Sequence, residues 1–416
     1  MERRRFLELS ASGLAGLLAA RLAARSAPAR AASRRGPAPR ARACIVLWCN
    51  GGPSHVDTWD PKPGAPFRAL RTRAPAIEIC EHLPRVAAEA HRLAIVRSLS
   101  SREGNHDRAQ FLLHTGYAPN PTVAYPSLGA WVSEELGAGG ADLPGFVSIS
   151  GPSAGAGFLG VAHGPFVIPN PSQPPQNLAY PSRVDFVRFA RRRSALETLE
   201  QGFANETGDA RVQARRDLLG KAIRIMYSTR LRAFDLQEEP DSVRAAYGDT
   251  DFGRGCLLAR RLVEAGVRFV EVVLDGWDTH QNNFERTKRL MGTLDPALAT
   301  LLAELFERDL LRSTLVLCLG EFGRTPSINA NEGRDHYPGA FSAVLAGGGI
   351  RGGLVHGATD EAGGKVVTPP VAVADLFATC ASLLGLDPAL TMRAPGGRPV
   401  ALTDNGKPLH DLIESS

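Results

Sequence analysis

The chain has 416 residues, and its contents of 44% hydrophobic and 22% charged residues are those of an ordinary globular protein. This length suits one large α/β domain or two smaller ones with an ample core. The net charge of +5 arises near the start of the chain, because residues 1–32 contribute +4 and residues 33–42 contribute another +4. The remainder therefore carries a net charge of −3, and we expect no nucleic-acid partner.

The first 32 residues form a leader whose pattern is typical of export. The stretch "RRRFL", which contains Arg3 and Arg4, resembles a twin-arginine export signal, and a run of small residues and leucines follows it. We expect a signal peptide over residues 1–32, a basic linker over residues 33–42, and export by the twin-arginine machinery to the periplasm or the extracellular space. A basic tail without an export function is the alternative. No later stretch has the roughly 18 continuous apolar residues of a membrane span.

Six short apolar runs predict β-strands. In chain order they are "CIVLWC" (44–49), "LAIVRSL" (93–99), "FVSIS" (146–150), "RFVEVVL" (268–274), "STLVLCL" (313–319) and "FSAVLAG" (341–347). Helical patterns at residues 256–266, 284–308 and 371–386 stand between or after them. Near-continuous apolar strands that alternate with helices predict an α/β fold, a three-layer sandwich with a central, mostly parallel sheet and helices on both faces.

Residues 43–416 are predicted to form a single domain that carries a helical insertion. The stretch from Arg183 to Asp235 is rich in Arg, Ala, Leu and Glu and contains no proline, which predicts helices over about residues 183–250. The six cysteines include no CxxC pair, so we expect free thiols rather than a disulfide framework.

Polar residues follow four of the predicted strands at the point where each strand ends. They are Asn50, His55, Asp57 and Asp60 after the first strand, His106 and Asp107 after the second, Asp275, Asp278 and His280 after the fourth, and Glu321, Arg324, Asp335 and His336 after the fifth. Because ligands of open α/β sheets bind at the carboxyl ends of the strands, we expect these side chains to lie around one cleft.

Carboxylates and imidazoles without clustered thiolates predict one or two divalent ions, either Zn²⁺, Mn²⁺, Ca²⁺ or Mg²⁺. Asp278 and His280 are two residues apart, so in an extended segment they point to the same side and can chelate one ion. Asp335 and His336 would point to opposite sides. Paired ions suit the hydrolysis of phosphate or sulfate esters, and Arg324 is expected to bind an anionic oxygen of the substrate.

Six motifs stand in order along the chain: "CIVLWCNGGPSHVDTWDPKPGAP", "ICEHLPRVA", "GVRFVEVVLDGWDTHQNN", "LVLCLGEFGRTPSIN", "GRDHYP" and "LAGGGIRGG". Together they resemble the bacterial family catalogued as domain of unknown function 1501, from about Ala43 to the C-terminus. That family is similar in fold to the alkaline phosphatase and sulfatase superfamily. The resemblance implies a metal-dependent α/β sandwich that acts on an anionic ester of a small molecule or a polysaccharide.

This chain departs from the superfamily pattern at two places. Its nucleophile stands nine residues before a Thr-Gly pair, and the residue nine before Thr115 and Gly116 is His106. The resemblance therefore implies that His106 is a nucleophile, a general acid or base, or a metal ligand, and a helix cap is the alternative. The second departure is Glu321 followed by Phe322, where the superfamily has Asp-His.

The sequence thus predicts an exported, metal-dependent hydrolase with His106 as its catalytic residue. The predicted metal ligands are Asp57, chosen over Asn50, His55 and Asp60, together with Asp278, His280, Glu321, Asp335 and His336. One alternative is a metal-containing binding or assembly protein, because a fold alone does not fix a function. A minor alternative is a serine hydrolase using Ser153 of "GPSAG", although the following stretch does not read as the helix that such a motif needs.

The export signal predicts the behaviour of a precursor in which Arg3 and Arg4 are both replaced by lysine. This precursor should remain in the cytoplasm, because the twin-arginine receptor reads that pair as an address. Cell fractionation and immunoblotting measure the distribution, and export of the variant at the normal rate would show that the leader is read by another route.

Overall fold

The structure is a computed structural model that describes residues 36–137, 142–151, 153–176, 178–180, 182–207 and 210–415. The predicted signal peptide, residues 1–32, lies outside the described residues, so its assignment stays a prediction. In the described part of the chain, no helix combines the length and the apolar character that crossing a membrane requires.

The strands are β1 (Ala43–Asn50), β2 (Ala69–Arg71), β3 (Glu78–Cys80), β4 (Leu93–Leu99), β5 (Phe146–Ile149), β6 (Phe166–Ile168), β7 (Phe269–Asp275), β8 (Thr314–Leu319), β9 (Gly323–Arg324), β10 (His336–Tyr337), β11 (Phe341–Ala346), β12 (Leu354–His356), β13 (Thr391–Arg393) and β14 (Pro399–Ala401). The α-helices are α1 (Pro84–Glu89), α2 (His106–Thr115), α3 (Leu128–Glu135), α4 (Phe186–Thr207), α5 (Ala210–Met226), α6 (Asp241–Ala246), α7 (Asp251–Glu264), α8 (Asn283–Glu307) and α9 (Val373–Leu383). All six predicted strands are present, and each of their bounds differs from the prediction by at most one residue.

Eight strands form the central sheet in the order β12-β4-β11-β8-β1-β7-β5-β6. Only β11 runs antiparallel to its neighbours, β4 and β8, and the other pairs are parallel. The prediction of a mostly parallel sheet is confirmed. Because β1, β4, β7 and β8 share one direction, their carboxyl ends lie at the same edge of the sheet.

Two hydrophobic layers cover the two faces of the sheet, which makes the fold a three-layer α/β sandwich. Alternate residues of β1 divide between them, since Ile45 and Leu47 face one layer whereas Val46 and Trp48 face the other. Helices α1, α7 and α8 contribute to the first layer, and α2, α3 and α9 contribute to the second. All six cysteines are free and buried in the structure, as the sequence predicted.

Helices also occupy most of the predicted insertion, over α4, α5 and α6. Helices α4 and α5 are long but leave large apolar side chains in solvent, among them Leu199 and Phe203 of α4. This part of the chain differs from the body of the domain, where long helices bury a continuous face against the sheet.

The packing of α8 predicts how much stability the domain loses when a cavity is made in its core. Leu302 of α8 is fully buried, so Leu302→Ala should lower the free energy of unfolding by about 2–5 kcal/mol. Val367 is 61% exposed, and the control Val367→Ala should change it by less than about 0.5 kcal/mol. Urea denaturation measures both, and equal losses would contradict the assignment of α8 to the core.

Candidate metal centre

The loops at the carboxyl edge of the sheet bring four of the predicted residues together. His106 begins α2, shortly after β4, whereas Asp278 and His280 follow β7. His336 lies on β10, which pairs with β9 in a short antiparallel ribbon after β8. Side chains that are as far as 230 residues apart in the sequence therefore meet at one place, as the strand-end argument predicted.

Each of the three imidazoles is anchored through its Nδ1 atom. The Nδ1 atom of His106 lies 2.7 Å from Glu321 Oε1, that of His280 lies 2.8 Å from Asp335 Oδ1, and that of His336 lies 2.8 Å from the Gly104 carbonyl oxygen. Carboxylate and carbonyl oxygens accept hydrogen bonds, so each Nδ1 must carry the proton and donate it. In the neutral tautomer, each Nε2 then presents a lone pair.

All three Nε2 atoms turn towards the same oxygen, Asp278 Oδ1. The distances are 3.4 Å from His106, 3.3 Å from His280 and 3.4 Å from His336. The Nε2 atoms of His280 and His336 are only 2.9 Å apart, although each has its proton on the other nitrogen. The Nε2 atom of His106 is buried without a hydrogen-bond partner. Facing lone pairs and an unpartnered buried nitrogen are the arrangement that a cation stabilises.

The pKa shifts of Asp278 and His336 favour their deprotonated, metal-binding forms, whereas the pKa of His106 is shifted in the opposite direction. Burial raises the pKa of Asp278, but the hydrogen bond and charge of Arg324 outweigh it, so that pKa is lowered overall. Burial lowers the pKa of His336, and the nearby charge of Arg324 lowers it further. The hydrogen bond to Glu321 raises the pKa of His106. An ionised carboxylate beside a neutral imidazole is the state that binds a divalent ion.

Arg324 has internal hydrogen-bond partners in the structure, and its predicted role in binding substrate stays a prediction. Its side chain is fully buried, and it donates hydrogen bonds to the carbonyl oxygens of Gly51, Gly52 and Arg334. Its Nη2 atom also lies 2.5 Å from Asp278 Oδ1. A guanidinium with its donors committed in this way fixes the position of Asp278.

The carboxylate of Asp57 contacts Arg334 and Asn283, and its predicted role as a metal ligand stays a prediction. Its carboxylate is fully buried and makes a bidentate pair with Arg334, at 2.7 Å to Nε and 2.9 Å to Nη2. The amide of Asn283 donates to the same carboxylate at 2.8 Å. Both oxygens are thus occupied, so Asp57 ties the loop after β1 to α8 and to the β9–β10 connection.

The other polar residues after β1 also have internal partners. Asp60 pairs with Lys62 and Arg97, His55 Nε2 donates to the Gly363 carbonyl oxygen, and Asn50 Nδ2 donates to Asp275. None of these contacts reaches the histidine cluster. In the described part of the chain, these side chains of the loop after β1 are thus held by partners outside the histidine cluster.

Glu321 and Asp335 accept hydrogen bonds from histidines of the cluster, and direct metal binding by either carboxylate stays a prediction. Glu321 is fully buried and accepts hydrogen bonds from the Gly51 backbone N–H and from His106. Asp335 accepts hydrogen bonds from His280 and from the Asn329 side chain. Carboxylates that orient ligating histidines are a common feature of metal sites.

The start of α2 separates the roles that the sequence left open for His106. Asn105 caps the helix, because its side chain accepts a hydrogen bond from the Arg108 backbone N–H at 3.2 Å. His106 is therefore free of a capping role and turns its Nε2 into the cluster. The helix ends at Gly116, whose φ of 75° needs a glycine-compatible left-handed conformation.

The geometry around Ser153 does not support a serine hydrolase. Its hydroxyl donates to Glu271 Oε2 at 2.7 Å, and the nearby His114 lies 3.2 Å from the other oxygen of the same carboxylate. A histidine that contacts the carboxylate and not the serine hydroxyl cannot take the proton of that hydroxyl.

The sequence analysis did not identify three groups that contact the site, namely Arg334, Asn283 and the Gly104 carbonyl oxygen. Arg334 stands in the quoted motif "GRDHYP", and Asn283 stands in "DTHQNN". Arg334 directly precedes the predicted ligand Asp335, and an arginine that is buried needs a carboxylate partner. The role of a backbone oxygen leaves no signal in the sequence.

One protein family matches almost the whole chain outside the leader. The family described as "Protein of unknown function (DUF1501)" matches residues 41–413, which agrees with the resemblance of the sequence motifs. No curated protein matches the chain significantly.

Several solved structures are similar to this chain at low sequence identity. A sulfatase from Pseudoalteromonas sp. is 14% identical with a TM-score of 0.37, and the match covers 83% of this chain and 68% of that one. A phosphonate monoester hydrolase from Silicibacter pomeroyi is 11% identical with a TM-score of 0.37, covering 90% and 77% of the two chains. An alkaline phosphatase from the Antarctic bacterium TAB5 is 12% identical with a TM-score of 0.31, covering 76% and 95%. Likenesses this distant assign no activity.

The placement of Asp57 predicts that it serves stability and not metal binding. Asp57→Asn removes the negative charge opposite the buried Arg334, so the free energy of unfolding should fall by about 3–5 kcal/mol. The folded fraction should bind Zn²⁺ or Mn²⁺ as the wild type does, whereas Asp278→Asn should not. Urea denaturation and metal titration check this, and a stable Asp57→Asn protein with lost metal binding would contradict it.

Proposed function

Within the family of proteins of unknown function 1501, to which this chain belongs over residues 41–413, we propose that it is a metal-dependent hydrolase of phosphate or sulfate esters. The observation that carries the proposal is the convergence of three imidazole Nε2 atoms on Asp278 Oδ1, at 3.3–3.4 Å. Two ligands of a tetrahedral zinc ion with bonds of about 2.0–2.1 Å are separated by about 3.3–3.4 Å.

The ion would be held by His106, Asp278 and His336, with His280 at the rim. Ligand atoms of the first three lie within 4.8 Å of one another. The Nε2 atom of His280 lies 3.3 Å from Asp278 Oδ1, so it supplies a further donor. Nitrogen donors suit Zn²⁺ better than Ca²⁺, Mg²⁺ or Mn²⁺, which prefer oxygen ligands.

The charge balance favours a single ion. Asp278, Glu321 and Asp335 bring three negative charges to the site against the one positive charge of Arg324. Because Arg324 is buried against Asp278 Oδ1, it already occupies part of the space and neutralises part of the charge that a second ion would need. One divalent ion leaves the site near neutrality, so an anionic ester can approach it.

A bound ion of this kind supplies a Lewis acid that polarises an oxygen of the ester. The chain supplies the rest: Glu321 fixes the ring of His106, Arg324 fixes the carboxylate of Asp278, and α2 begins at the cluster. The positive end of the α2 dipole and its first N–H groups favour an anionic ligand there. The substrate class that fits this chemistry is an anionic phosphate or sulfate ester of a small molecule or a polysaccharide.

Export to the periplasm or the extracellular space remains part of the proposal. It is supported by the "RRRFL" stretch of the leader, which is typical of twin-arginine substrates. Such substrates usually cross the membrane folded, and free, buried cysteines are compatible with folding in a reducing cytoplasm.

A second candidate is an exported binding or assembly protein that keeps the ion for structure. The observation that favours it is the number of donors, because three histidines and one aspartate can fill a tetrahedral coordination sphere. A filled sphere leaves no open position for substrate. Activity towards esters separates the two candidates, since removal of the ion abolishes turnover in one and lowers only stability in the other.

The proposal predicts that purified protein contains close to one equivalent of a divalent transition metal. His336→Ala and Asp278→Asn should each weaken binding of that metal by at least about 100-fold, because each removes a ligand. Glu321→Gln, which loosens the hold on His106, should weaken binding by about 10–100-fold. Plasma mass spectrometry gives the content, and competition with a chelator gives the affinity.

Turnover of a panel of aryl phosphates and aryl sulfates should fall in parallel with metal content. His91→Ala is a matched control, because the His91 side chain is exposed and precedes the amino end of β4, whereas the cluster lies at the carboxyl edge of the sheet. Metal-free protein that hydrolyses an ester at the same rate as loaded protein would contradict the proposal. Metal-loaded protein without activity towards the panel would favour the binding protein.

A further inference from the structure

The charges of helix α4 (Phe186–Thr207) are divided between its two halves. The first half carries only basic residues and the second half only acidic ones, namely Arg188, Arg191, Arg192 and Arg193, followed by Glu197, Glu200 and Glu206. This order opposes the helix dipole, which favours acidic residues near the N-terminus and basic residues near the C-terminus. An isolated helix gains nothing from such an order.

Three of these seven charged residues form ion pairs inside the insertion. Arg193 pairs with Glu197 at 3.0 Å, one turn further along α4. Glu200 lies 3.3 Å from Arg215 and 3.6 Å from Arg216, both on α5 (Ala210–Met226). These pairs hold the two helices together as a hairpin.

Arg192 and Glu206 mark the ends of a separate stripe on α4. Both side chains are exposed, and within the described residues neither forms an ion pair with a neighbour. Between them, at helical spacing, lie Ala195, Leu199 and Phe203. Leu199 is 72% exposed and Phe203 is 53% exposed, which is unusual for large apolar side chains of a long helix. We call these five residues the α4 stripe.

The α4 stripe is complementary to itself when it is reversed. Arg192 and Glu206 are each seven residues from Leu199, and Ala195 and Phe203 are each four residues from it. A twofold axis at Leu199 would therefore place Arg192 opposite the partner's Glu206, and Phe203 opposite the partner's Ala195. A large residue then meets a small one, and each charge meets its opposite.

We propose that the α4 stripe is the contact between two copies of this chain, which pair their α4 helices antiparallel about a twofold axis at Leu199. Such an interface uses the same patch on both copies and closes at a dimer. It covers Leu199 and Phe203, and it gives the basic N-terminal half of each helix an acidic neighbour. In the antiparallel arrangement, the positive end of each helix dipole lies beside the negative end of the other, which is favourable.

The division of α4 into a basic and an acidic half favours a second copy of the chain over an anionic membrane surface as the partner. A membrane-binding helix carries basic residues along its whole polar face. The second half of α4 carries acidic residues instead, and Glu206, which is exposed on the α4 stripe, would be repelled by anionic lipid. The interface involves one helix from each copy, so we expect a weak dimer whose population rises with protein concentration.

Cross-linking of the full-length chain tests the predicted axis directly. Leu199→Cys places two thiols at the twofold axis, and oxidation with diamide should join two chains rapidly. All six native cysteines are buried, so the introduced thiol is the reactive one. Ser194→Cys is the matched control, because residue 194 is exposed and lies about 140° around the helix from residue 199. It should cross-link at least about 10-fold more slowly, and equal rates would overturn the proposal.

A charge exchange tests the complementarity by analytical ultracentrifugation. Arg192→Glu alone should weaken the dimer, since it opposes the partner's Glu206. The double variant Arg192→Glu, Glu206→Arg should restore it, since each interface again pairs opposite charges. Leu199→Glu should raise the dissociation constant by at least about 10-fold. A chain that stays monomeric at every concentration, or a dimer that is indifferent to all three variants, would overturn the proposal.

Discussion

The buried guanidinium of Arg324 is the interaction on which the site depends. It reaches the backbone carbonyls of Gly51 and Gly52 after β1, the carbonyl of Arg334 before β10, and the carboxylate of Asp278 after β7. Three segments that lie at one edge of the sheet are thereby linked through the guanidinium group of Arg324. A buried cation without a carboxylate would be costly, so Asp278 is held where the histidines converge.

The same constraint explains why the histidines present lone pairs to one another. Arg324 and the Nδ1 anchors at Glu321, Asp335 and the Gly104 carbonyl oxygen leave the rings little freedom to turn away. The resulting cluster of facing lone pairs is electron-rich and partly buried, and a bound divalent cation would stabilise it. Metal binding and ester hydrolysis are proposed for the chain on this basis, and the fold by itself decides neither.

The sequence predicted the architecture well because the information is local and repetitive. Short apolar runs such as "CIVLWC" are typical of strands covered on both faces, and the polar residues that follow them meet because parallel strands end at one edge of the sheet. The sequence could not tell ligands from supports. Asp57, Glu321 and Asp335 have the residue type of metal ligands, and their roles depend on whether an arginine or a histidine lies opposite. Those partners, such as Arg334 for Asp57, are distant in the chain.

Anomalous X-ray diffraction from a crystal grown with Zn²⁺ tests the central claim most directly. Data collected above and below the zinc absorption edge locate the ion without reference to activity. The account predicts one strong peak within about 2.0–2.6 Å of Asp278 Oδ1 and of the Nε2 atoms of His106 and His336. A fully occupied zinc peak elsewhere on the chain, with none at this cluster, would contradict it.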